Sequence, residues 1–163
     1  MARPKRIPHY PYVGVQRYFI TACTHGRREY FTDPAVVTLV VDAFIQAAEE
    51  HAMTIVVYCV MPDHVHLLLD GDHDGADMQA FMKLAKQRTG FRFKRRYGAP
   101  LWQDGYYDHV LRGEERTEEV VLYTVMNPVR KKLVATALEY PYWGSMRFSR
   151  EELLHSIGLL RRR

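Results

Sequence analysis

Short stretches of apolar residues, separated by polar turn residues, give the chain the pattern of a β-sheet protein. Val, Ile, Leu and aromatic residues dominate these stretches, and such side chains suit the half-buried surface of a sheet. The hairpin between the second and third stretches is predicted by Met61-Pro62-Asp63, because Pro fixes φ and Asp bonds its local backbone. The predicted strands cover residues 17–24, 53–60, 64–70 and 109–112.

Three longer stretches repeat their apolar residues at helical spacing. The first predicted helix covers residues 34–51, with Asp33 as a candidate N-cap and a proline at the first helical position. The second covers residues 76–97. The third covers residues 116–126 and is expected to kink or restart at Pro128, because proline lacks the amide hydrogen and restricts the residue before it.

His64-Val65-His66 opens the third predicted strand and is the first candidate for chemistry. Successive strand side chains point to opposite faces, so His64 and His66 leave the same face while Val65 leaves the other. Two imidazoles one strand repeat apart can converge on one divalent metal ion. The simpler alternative is a pair of half-exposed histidines at a strand end, although two polar rings on an otherwise apolar strand need a reason.

A second candidate pair lies on the third predicted helix. Tyr123 and Asn127 are four residues apart and therefore share a helical face. The kink expected at Pro128 is a place where a polar side chain can be aimed away from the helix surface. The alternative is that Tyr123 is a core tyrosine of an amphipathic helix.

The composition is typical of one globular domain. The chain has 163 residues, 47% of them hydrophobic and 26% charged, and no apolar run approaches the ~20 residues that span a bilayer. We interpret residues 1–163 as a single domain with an extended basic N-terminal arm (1–16) and a C-terminal extension (135–163). The N-terminus has no apolar signal segment, and Cys23 and Cys59 lie in apolar runs, so we expect buried reduced thiols in a cytoplasmic protein.

Positive charge is concentrated in the second predicted helix. The formal net charge of the chain is +4, whereas residues 77–97 hold seven Lys and Arg against one Asp, a net charge of +6. Phe91, Phe93 and Tyr97 are interleaved with these charges and could stack on bases. The helix is either a surface that follows nucleic-acid phosphates or a solvated amphipathic face. The candidate DNA-binding residues are Lys83, Lys86, Arg88, Arg92, Lys94, Arg95 and Arg96.

Taken together, these motifs resemble the REP-associated tyrosine transposases, which are HUH single-strand DNA nucleases with one nucleophilic tyrosine. The resemblance extends over about residues 6–148 and is carried by four segments in order. The last segment matches the family's Trp-Pro-Trp-Ser-Ser-like sequence only in part, since a second Ser is absent and Gly144 stands in its neighbourhood. The segments are Met61-Pro62-Asp63-His64-Val65-His66, Leu101-Trp102-Gln103-Asp104-Gly105-Tyr106-Tyr107-Asp108, Tyr123-Thr124-Val125-Met126-Asn127-Pro128-Val129-Arg130 and Tyr140-Pro141-Tyr142-Trp143-Gly144-Ser145.

The resemblance implies a ferredoxin-like (RRM-like) α+β fold, in which helices pack against a central antiparallel sheet. It implies a metal-dependent transposase that cleaves and rejoins single-stranded DNA next to hairpins through a 5′-phosphotyrosine. It assigns Tyr123 as the nucleophile, and His64, His66 and Asn127 as ligands of a Mg or Mn ion. The implied partner is single-stranded or hairpin DNA. The protein would be a monomer or homodimer, and associated with the nucleoid when bound to DNA.

The residue types agree with this chemistry. Three neutral ligands leave the full ionic charge on the metal, where it can polarise the scissile phosphate. That charge also favours phenolate character in an attacking tyrosine, whose ordinary pKa is near ~10. Imidazole and amide ligands do not themselves choose the metal, and only the resemblance points to Mg or Mn.

Three other functions stay open at this level. One is a catalytically inactive or regulatory hairpin-binding protein of the same fold, which the intact His64, His66, Tyr123 and Asn127 disfavour. Another is a replication initiator or conjugative relaxase, whose chains are usually longer. The third is a metal phosphodiesterase acting on small nucleotides, which would need neither a tyrosine nor a basic helix.

Overall fold

The structure is a computed structural model that describes residues 8–112 and 117–161. Three short 3₁₀ turns connect the larger elements, at His25–Arg27, Tyr30–Thr32 and Ala137–Glu139. Among the described helices, none is both long and apolar enough to cross a membrane. The strands and helices are β1 (Arg17–Cys23), α1 (Pro34–Glu50), β2 (Met53–Met61), β3 (His64–Gly71), α2 (Met78–Tyr97), β4 (Tyr107–Leu111), α3 (Thr117–Arg130), β5 (Trp143–Gly144) and α4 (Arg150–Ser156).

The five strands form one antiparallel sheet in the order β4-β1-β3-β2-β5. The first four strands alternate with α1 and α2 in a βαββαβ sequence, which is the ferredoxin-like arrangement. The predicted ferredoxin-like α+β fold is therefore confirmed. The central strand β3 pairs with both β1 and β2, so the residues at its start lie inside the sheet.

A β-bulge in β2 decides which residues face each side of the sheet. The pairing with β3 shifts between Ile55 and Val57, so one extra residue interrupts the alternation of side chains. Ile55 before the bulge and Val60 after it face α1 and α2, whereas Val57, Cys59 and other residues face α3. The bulge thus allows one strand to supply apolar residues to two separate cores.

The face covered by α1 and α2 is closely packed. Asp33 caps α1 by accepting a hydrogen bond from the backbone amide of Ala35, as its position in the sequence predicts. Phe44 of α1 meets Phe81 of α2 edge to face, and both rings are almost completely buried. This face forms the main hydrophobic core of the domain.

The opposite face is covered by α3 and by the segment that follows it. Trp143 is buried and donates its indole N–H to the carbonyl of Ala137, and the Tyr140 hydroxyl donates to the carbonyl of Val60. A Cβ at Gly144 would lie 2.8 Å from the Tyr58 hydroxyl, so a larger residue in β5 would have to displace the Tyr58 side chain of β2. The C-terminal segment therefore belongs to the folded core of this face.

Helix α3 differs from its prediction. It continues through Pro128 and ends at Arg130, whereas the sequence predicted an end at Met126, so the helix does not restart at the proline. Pro128 cannot donate to Thr124, but Val125, Asn127 and Pro128 are all buried, and this packing offsets the lost bond. The predicted start of α3 at residue 116 lies outside the described residues. The other predicted boundaries differ by two residues or fewer: α2 begins at Met78 after the N-cap Asp77, and β4 covers Tyr107–Leu111.

The described part of the predicted N-terminal arm is packed against the domain. The Val13 backbone bridges to Asp77, and Tyr12 is buried in the main core. Residues 1–7 of the arm lie outside the described residues. The predicted burial of the thiols is correct for Cys59, but Cys23 is only half-buried.

Candidate active site

His64 and His66 converge at the start of β3, on the face covered by α3. The Nε2 atoms of the two rings are 3.1 Å apart, and both side chains are largely buried. Their strand neighbours fix this position, because Cys23 and Thr21 of β1 lie opposite His64 and His66 in the antiparallel register. The site is therefore anchored in the centre of the sheet.

The second ring nitrogen of each histidine has its own hydrogen-bond partner. His64 Nδ1 lies 2.7 Å from a carboxylate oxygen of Asp63, and His66 Nδ1 lies 2.9 Å from the Thr21 hydroxyl. An ionised carboxylate only accepts, so His64 carries its proton on Nδ1 and directs the Nε2 lone pair into the site. Thr21 can donate or accept, so its bond is compatible with either neutral tautomer of His66.

Helix α3 brings Tyr123 and Asn127 to the same place. Val121 and Val125 are buried against the sheet and fix the rotation of the helix. Asn127 is 2% exposed, whereas Tyr123 is 40% exposed at the edge of the site. Among the described residues, no group of three His, Cys, Asp or Glu side chains could hold a metal ion, so the amide of Asn127 is the candidate for a third donor.

The Tyr123 ring is held on several sides. It meets Phe19 edge to face at 6.0 Å between centroids and His66 at 5.7 Å, while Phe19 stacks on His66. The Arg130 guanidinium carbon lies 4.4 Å from the centroid of the Tyr123 ring. Arg130 reaches this position because α3 continues through Pro128, and two turns of helix separate the two residues.

These side chains line an open cleft of about 530 Å³. The sequence singles out four of its residues as a site and does not single out Phe19, Thr21, Arg27, Glu29 or Lys131. Alternation along β1 could have placed Phe19 and Thr21 on one face, but not against β3, since pairing partners are not visible in a single strand. The cleft is lined by Phe19, Thr21, Arg27, Glu29, Met61, Pro62, Asp63, His64, His66, Tyr107, Tyr123, Asn127, Lys131 and Leu133.

Burial keeps both imidazoles uncharged near neutral pH. Burial lowers the pKa of His66 to about 3, and the neighbouring His64, Arg130 and Arg27 act in the same direction. Burial also lowers the pKa of His64, although Asp63 opposes this shift. Burial alone would raise the pKa of Asp63, but hydrogen bonds from His64 and Arg27 lower it overall. The histidines are thus available as neutral ligands beside an ionised carboxylate.

Three other tyrosines that could compete with Tyr123 as the nucleophile, Tyr97, Tyr106 and Tyr107, are distributed between the two faces of the sheet. Tyr97 belongs to α2 and donates its hydroxyl to Asp33. The Tyr106 hydroxyl points to the sulfur of Met78, in the main core. Tyr107 is the one of these three that lines the cleft, opposite Thr21 in the sheet.

The candidate DNA-binding residues of α2 lie on the face of the sheet that does not carry the cleft. Lys86 donates to the carbonyls of Gln103 and Gly105, and Arg88 forms an ion pair with Glu50. The remaining residues Lys83, Arg92, Lys94, Arg95 and Arg96 have exposed side chains.

The aromatic residues of α2 also differ in exposure. Phe91 is 63% exposed beneath Arg95, and Tyr97 is exposed beneath Arg96. Phe93 is 1% exposed and packs on Tyr30, so the prediction that it stacks on bases is wrong. The end of α2 that bears the exposed rings contacts the 3₁₀ segment 30–33, which is close in sequence to the cleft residues Arg27 and Glu29.

Comparison with known proteins identifies the family. The sequence model described as "Transposase IS200 like" matches residues 13–125, well over half of the chain. The chain therefore belongs to the IS200-like transposase family. A Haemophilus influenzae (strain Rd) protein that carries the name REP-associated tyrosine transposase is 27% identical over 137 residues, which cover 77% of each chain.

Two solved structures are also similar. One is a REP-associated tyrosine transposase bound to a REP hairpin, with a TM-score of 0.74 and 19% identity, covering 99% of this chain and 89% of that chain. The other, named as a transposase of Deinococcus radiodurans R1, has a TM-score of 0.51 and 25% identity over 76% of this chain and 97% of that chain. The predicted resemblance to REP-associated tyrosine transposases is confirmed by these matches.

Proposed function

We propose that this transposase is a divalent-metal-dependent enzyme that cleaves and rejoins single-stranded DNA beside a hairpin, with Tyr123 as the nucleophile. The observation that carries the proposal is the convergence of His64, His66, Tyr123 and Asn127 on one cleft. These four residues come from the central strand of the sheet and from the helix packed over it. They combine a metal-binding donor set with a hydroxyl nucleophile, as phosphodiester transfer requires.

The spacing of the two imidazole nitrogens is compatible with a shared divalent ion. Two nitrogens that each lie ~2.1 Å from one ion, at an angle of about 90–110°, are ~3.0–3.4 Å apart. The observed separation of 3.1 Å between the two Nε2 atoms falls in this range. His64, His66 and Asn127 would hold Mg²⁺ or Mn²⁺, which supplies charge stabilisation to the scissile phosphate when bound.

The residues of the chain account for the covalent step. The Tyr123 oxygen forms a bond to phosphorus while the bond from phosphorus to the 3′ oxygen breaks. In the net step, the proton that the Tyr123 hydroxyl loses passes to the 3′ oxygen, which leaves as a 3′-hydroxyl. The 5′ end of the cut strand is then joined to Tyr123. Attack by a 3′-hydroxyl on this phosphotyrosine reverses the step, so a strand is rejoined without ATP. Phe19, His66 and Arg130 restrict the ring of Tyr123 and thereby orient its hydroxyl.

Hairpin DNA is the proposed substrate because the REP-associated tyrosine transposase with the same fold was solved with a REP hairpin. The exposed basic residues Arg92, Lys94, Arg95 and Arg96 support phosphate binding at the end of α2. Lys131 lines the cleft, and Arg130 lies over the Tyr123 ring at its edge, so both add positive charge there. The proposed DNA path joins these two regions around the end of the sheet that carries Arg27.

The test is an adduct assay on labelled single-stranded DNA that contains a hairpin, incubated with the protein and Mn²⁺. The wild type should form a covalent adduct that survives a denaturing gel, and mass spectrometry should locate it on Tyr123. Tyr123→Phe should bind the hairpin but form no adduct. Tyr107→Phe is the matched control, because Tyr107 lines the same cleft and should tolerate the change.

Two results would contradict the proposal. Adduct formation by Tyr123→Phe, or an adduct mapped to Tyr107, would show that Tyr123 is not the nucleophile. Hairpin binding by the wild type without any adduct would favour a regulatory hairpin-binding protein of this family instead.

A further inference from the structure

Asp63, in the turn that precedes the histidines, connects His64 to Arg27. The proposed cleavage step assigns no role to this connection. One carboxylate oxygen of Asp63 lies 2.7 Å from His64 Nδ1, and the other accepts from Arg27 Nε at 2.8 Å. A second guanidinium nitrogen of Arg27 lies 2.8 Å from the Cys23 sulfur, and Cys23 is the strand partner of His64. The contacts therefore form a loop from β1 through Arg27 and Asp63 back to β3.

The backbone at Arg27 is adapted to this contact. Arg27 has a φ of +56°, a left-handed conformation that non-glycine residues rarely adopt, and it follows Gly26 at +62°. Such a conformation is unfavourable for an arginine and persists only where its surroundings stabilise it. Here the ion pair with Asp63 and the contact with Cys23 are the interactions that the Arg27 side chain gains.

We propose that Asp63, held in place by Arg27, is a positioning residue that fixes His64 in the Nδ1–H tautomer and so presents the Nε2 lone pair to a divalent cation. This inference rests on the proposed metal site. A carboxylate behind a histidine ligand fixes the ring and makes the ligand more basic, and its removal typically weakens metal binding about 10- to 100-fold. Residues 27 and 63 thus extend the proposed site beyond its ligands.

The two histidines differ in this respect. Thr21 behind His66 is a neutral hydroxyl that serves as donor or acceptor. His66 can therefore place a proton on Nε2 and donate to His64 when no cation is present, and move it to Nδ1 when a cation binds. His64 is preset by a charged partner, whereas His66 adapts.

The side chain of Asp63 can be changed without removing the bonds that hold its turn. The Asp63 carbonyl accepts from the amide of Thr24 at 2.9 Å, and the Pro62 carbonyl accepts from the amide of Phe31 at 3.0 Å. Both bonds use backbone atoms and persist in Asp63→Ala and Asp63→Asn. Asp70 provides a matched control, because it is also a partly buried carboxylate paired with arginines, at the far end of β3.

The experiment measures Mn²⁺ binding to chelator-treated full-length protein by calorimetry and electron paramagnetic resonance. We expect Asp63→Ala to weaken binding about 10- to 100-fold, Asp63→Asn to be intermediate because its amide oxygen still accepts from His64, and Asp70→Asn to match the wild type. In ¹⁵N–¹H spectra of the metal-free protein, His64 should carry its proton on Nδ1 in the wild type and lose this preference in Asp63→Ala.

The possible failures are distinguishable. If His64→Ala loses Mn²⁺ but Asp63→Ala binds it as tightly as the wild type, the positioning role is wrong and the proposed metal site stands. If His64→Ala binds Mn²⁺ as tightly as the wild type, the histidines are not ligands, and both proposals fall. An unchanged His64 tautomer in Asp63→Ala would also overturn the inference.

Discussion

The two faces of β3 are built for different purposes. Val65, Leu67 and Leu69 point toward α1 and α2 and are completely enclosed by apolar side chains. On the other face, apolar packing includes Leu68 but is replaced by a cleft at His66 and His64. The same strand thus stabilises the fold on one side and positions polar groups on the other. Neighbouring residues of β3 lie on opposite faces and therefore differ in role, whereas residues two apart share a face.

The comparison shows why buried polar side chains are tolerated in β3: they are confined to one end of one face, where they have hydrogen-bond partners. His64 and His66 are buried, yet each ring nitrogen has a polar neighbour. Substitutions on the cleft face should therefore change chemistry more than stability, and substitutions on the packed face should do the reverse.

Among substitutions on the two faces of β3, the largest effect on cleavage is expected for His66→Ala. Loss of one proposed ligand should remove several kcal/mol of charge stabilisation, which lowers the cleavage rate on the order of 10²- to 10³-fold. The free energy of unfolding should change less than in the Leu67→Ala variant described next. Single-turnover cleavage and urea unfolding measure the two quantities, and cleavage at the wild-type rate would remove His66 from the proposed site.

Leu67→Ala should have the opposite character. Leu67 is 1% exposed on the packed face, so its truncation should lower the free energy of unfolding by about 2–5 kcal/mol. The cleavage rate per folded molecule should stay near that of the wild type, as determined after active-site titration. A large loss of cleavage in the folded fraction would show that the two faces are not separable.

Acidification should lower the free energy of unfolding of the metal-free protein, because His66 is buried on the cleft face. The pKa of His66 is about 3 in the folded chain against 6.5 for a free histidine, so the unfolded state binds a proton that the folded state does not. Stability should therefore fall as the pH drops from about 6.5 toward about 3, by up to ~1.4 kcal/mol per pH unit. Urea unfolding with a chelator at several pH values measures this slope. His66→Gln should reduce the slope, and an unchanged slope would assign the pH dependence to other groups.

The smallest effect is expected far from the cleft, at the end of α2. Replacing Arg92, Lys94 and Arg95 by Ala should reduce the salt dependence of single-strand binding by about 2 in the log–log slope, at ~0.7 per phosphate contact. Arg88→Ala is the control, because Arg88 is engaged by Glu50. An unaltered slope in the triple variant would move the DNA-binding surface to Arg130 and Lys131.

Local sequence patterns predict much of the fold and of the proposed site. The hairpin around Pro62 and the alternation of His64 and His66 depend on neighbouring residues, so a single sequence contains the required information. Helical spacing likewise places Tyr123 and Asn127 on one face.

Other features depend on partners that are distant in the sequence. The contact of Arg27 with Asp63 spans 36 residues, and Thr21 meets His66 across 45 residues. The passage of α3 through Pro128 depends on burial that helix propensity does not describe. Phe91 and Phe93 are two residues apart in the same basic segment, and only tertiary packing decides that one is exposed and the other buried.

Because Tyr123 and Asn127 are one turn apart on α3, the proposed nucleophile and a proposed ligand cannot leave the histidines independently. In the proposed mechanism, any displacement of the helix that withdraws the attacking hydroxyl also takes a donor from the ion. Under this proposal, a displaced helix would leave the histidines without both the attacking hydroxyl and the third ligand, so a partly assembled site would not cleave DNA. In the proposed mechanism, DNA cleavage therefore requires that α3 is packed against β3 while DNA is bound.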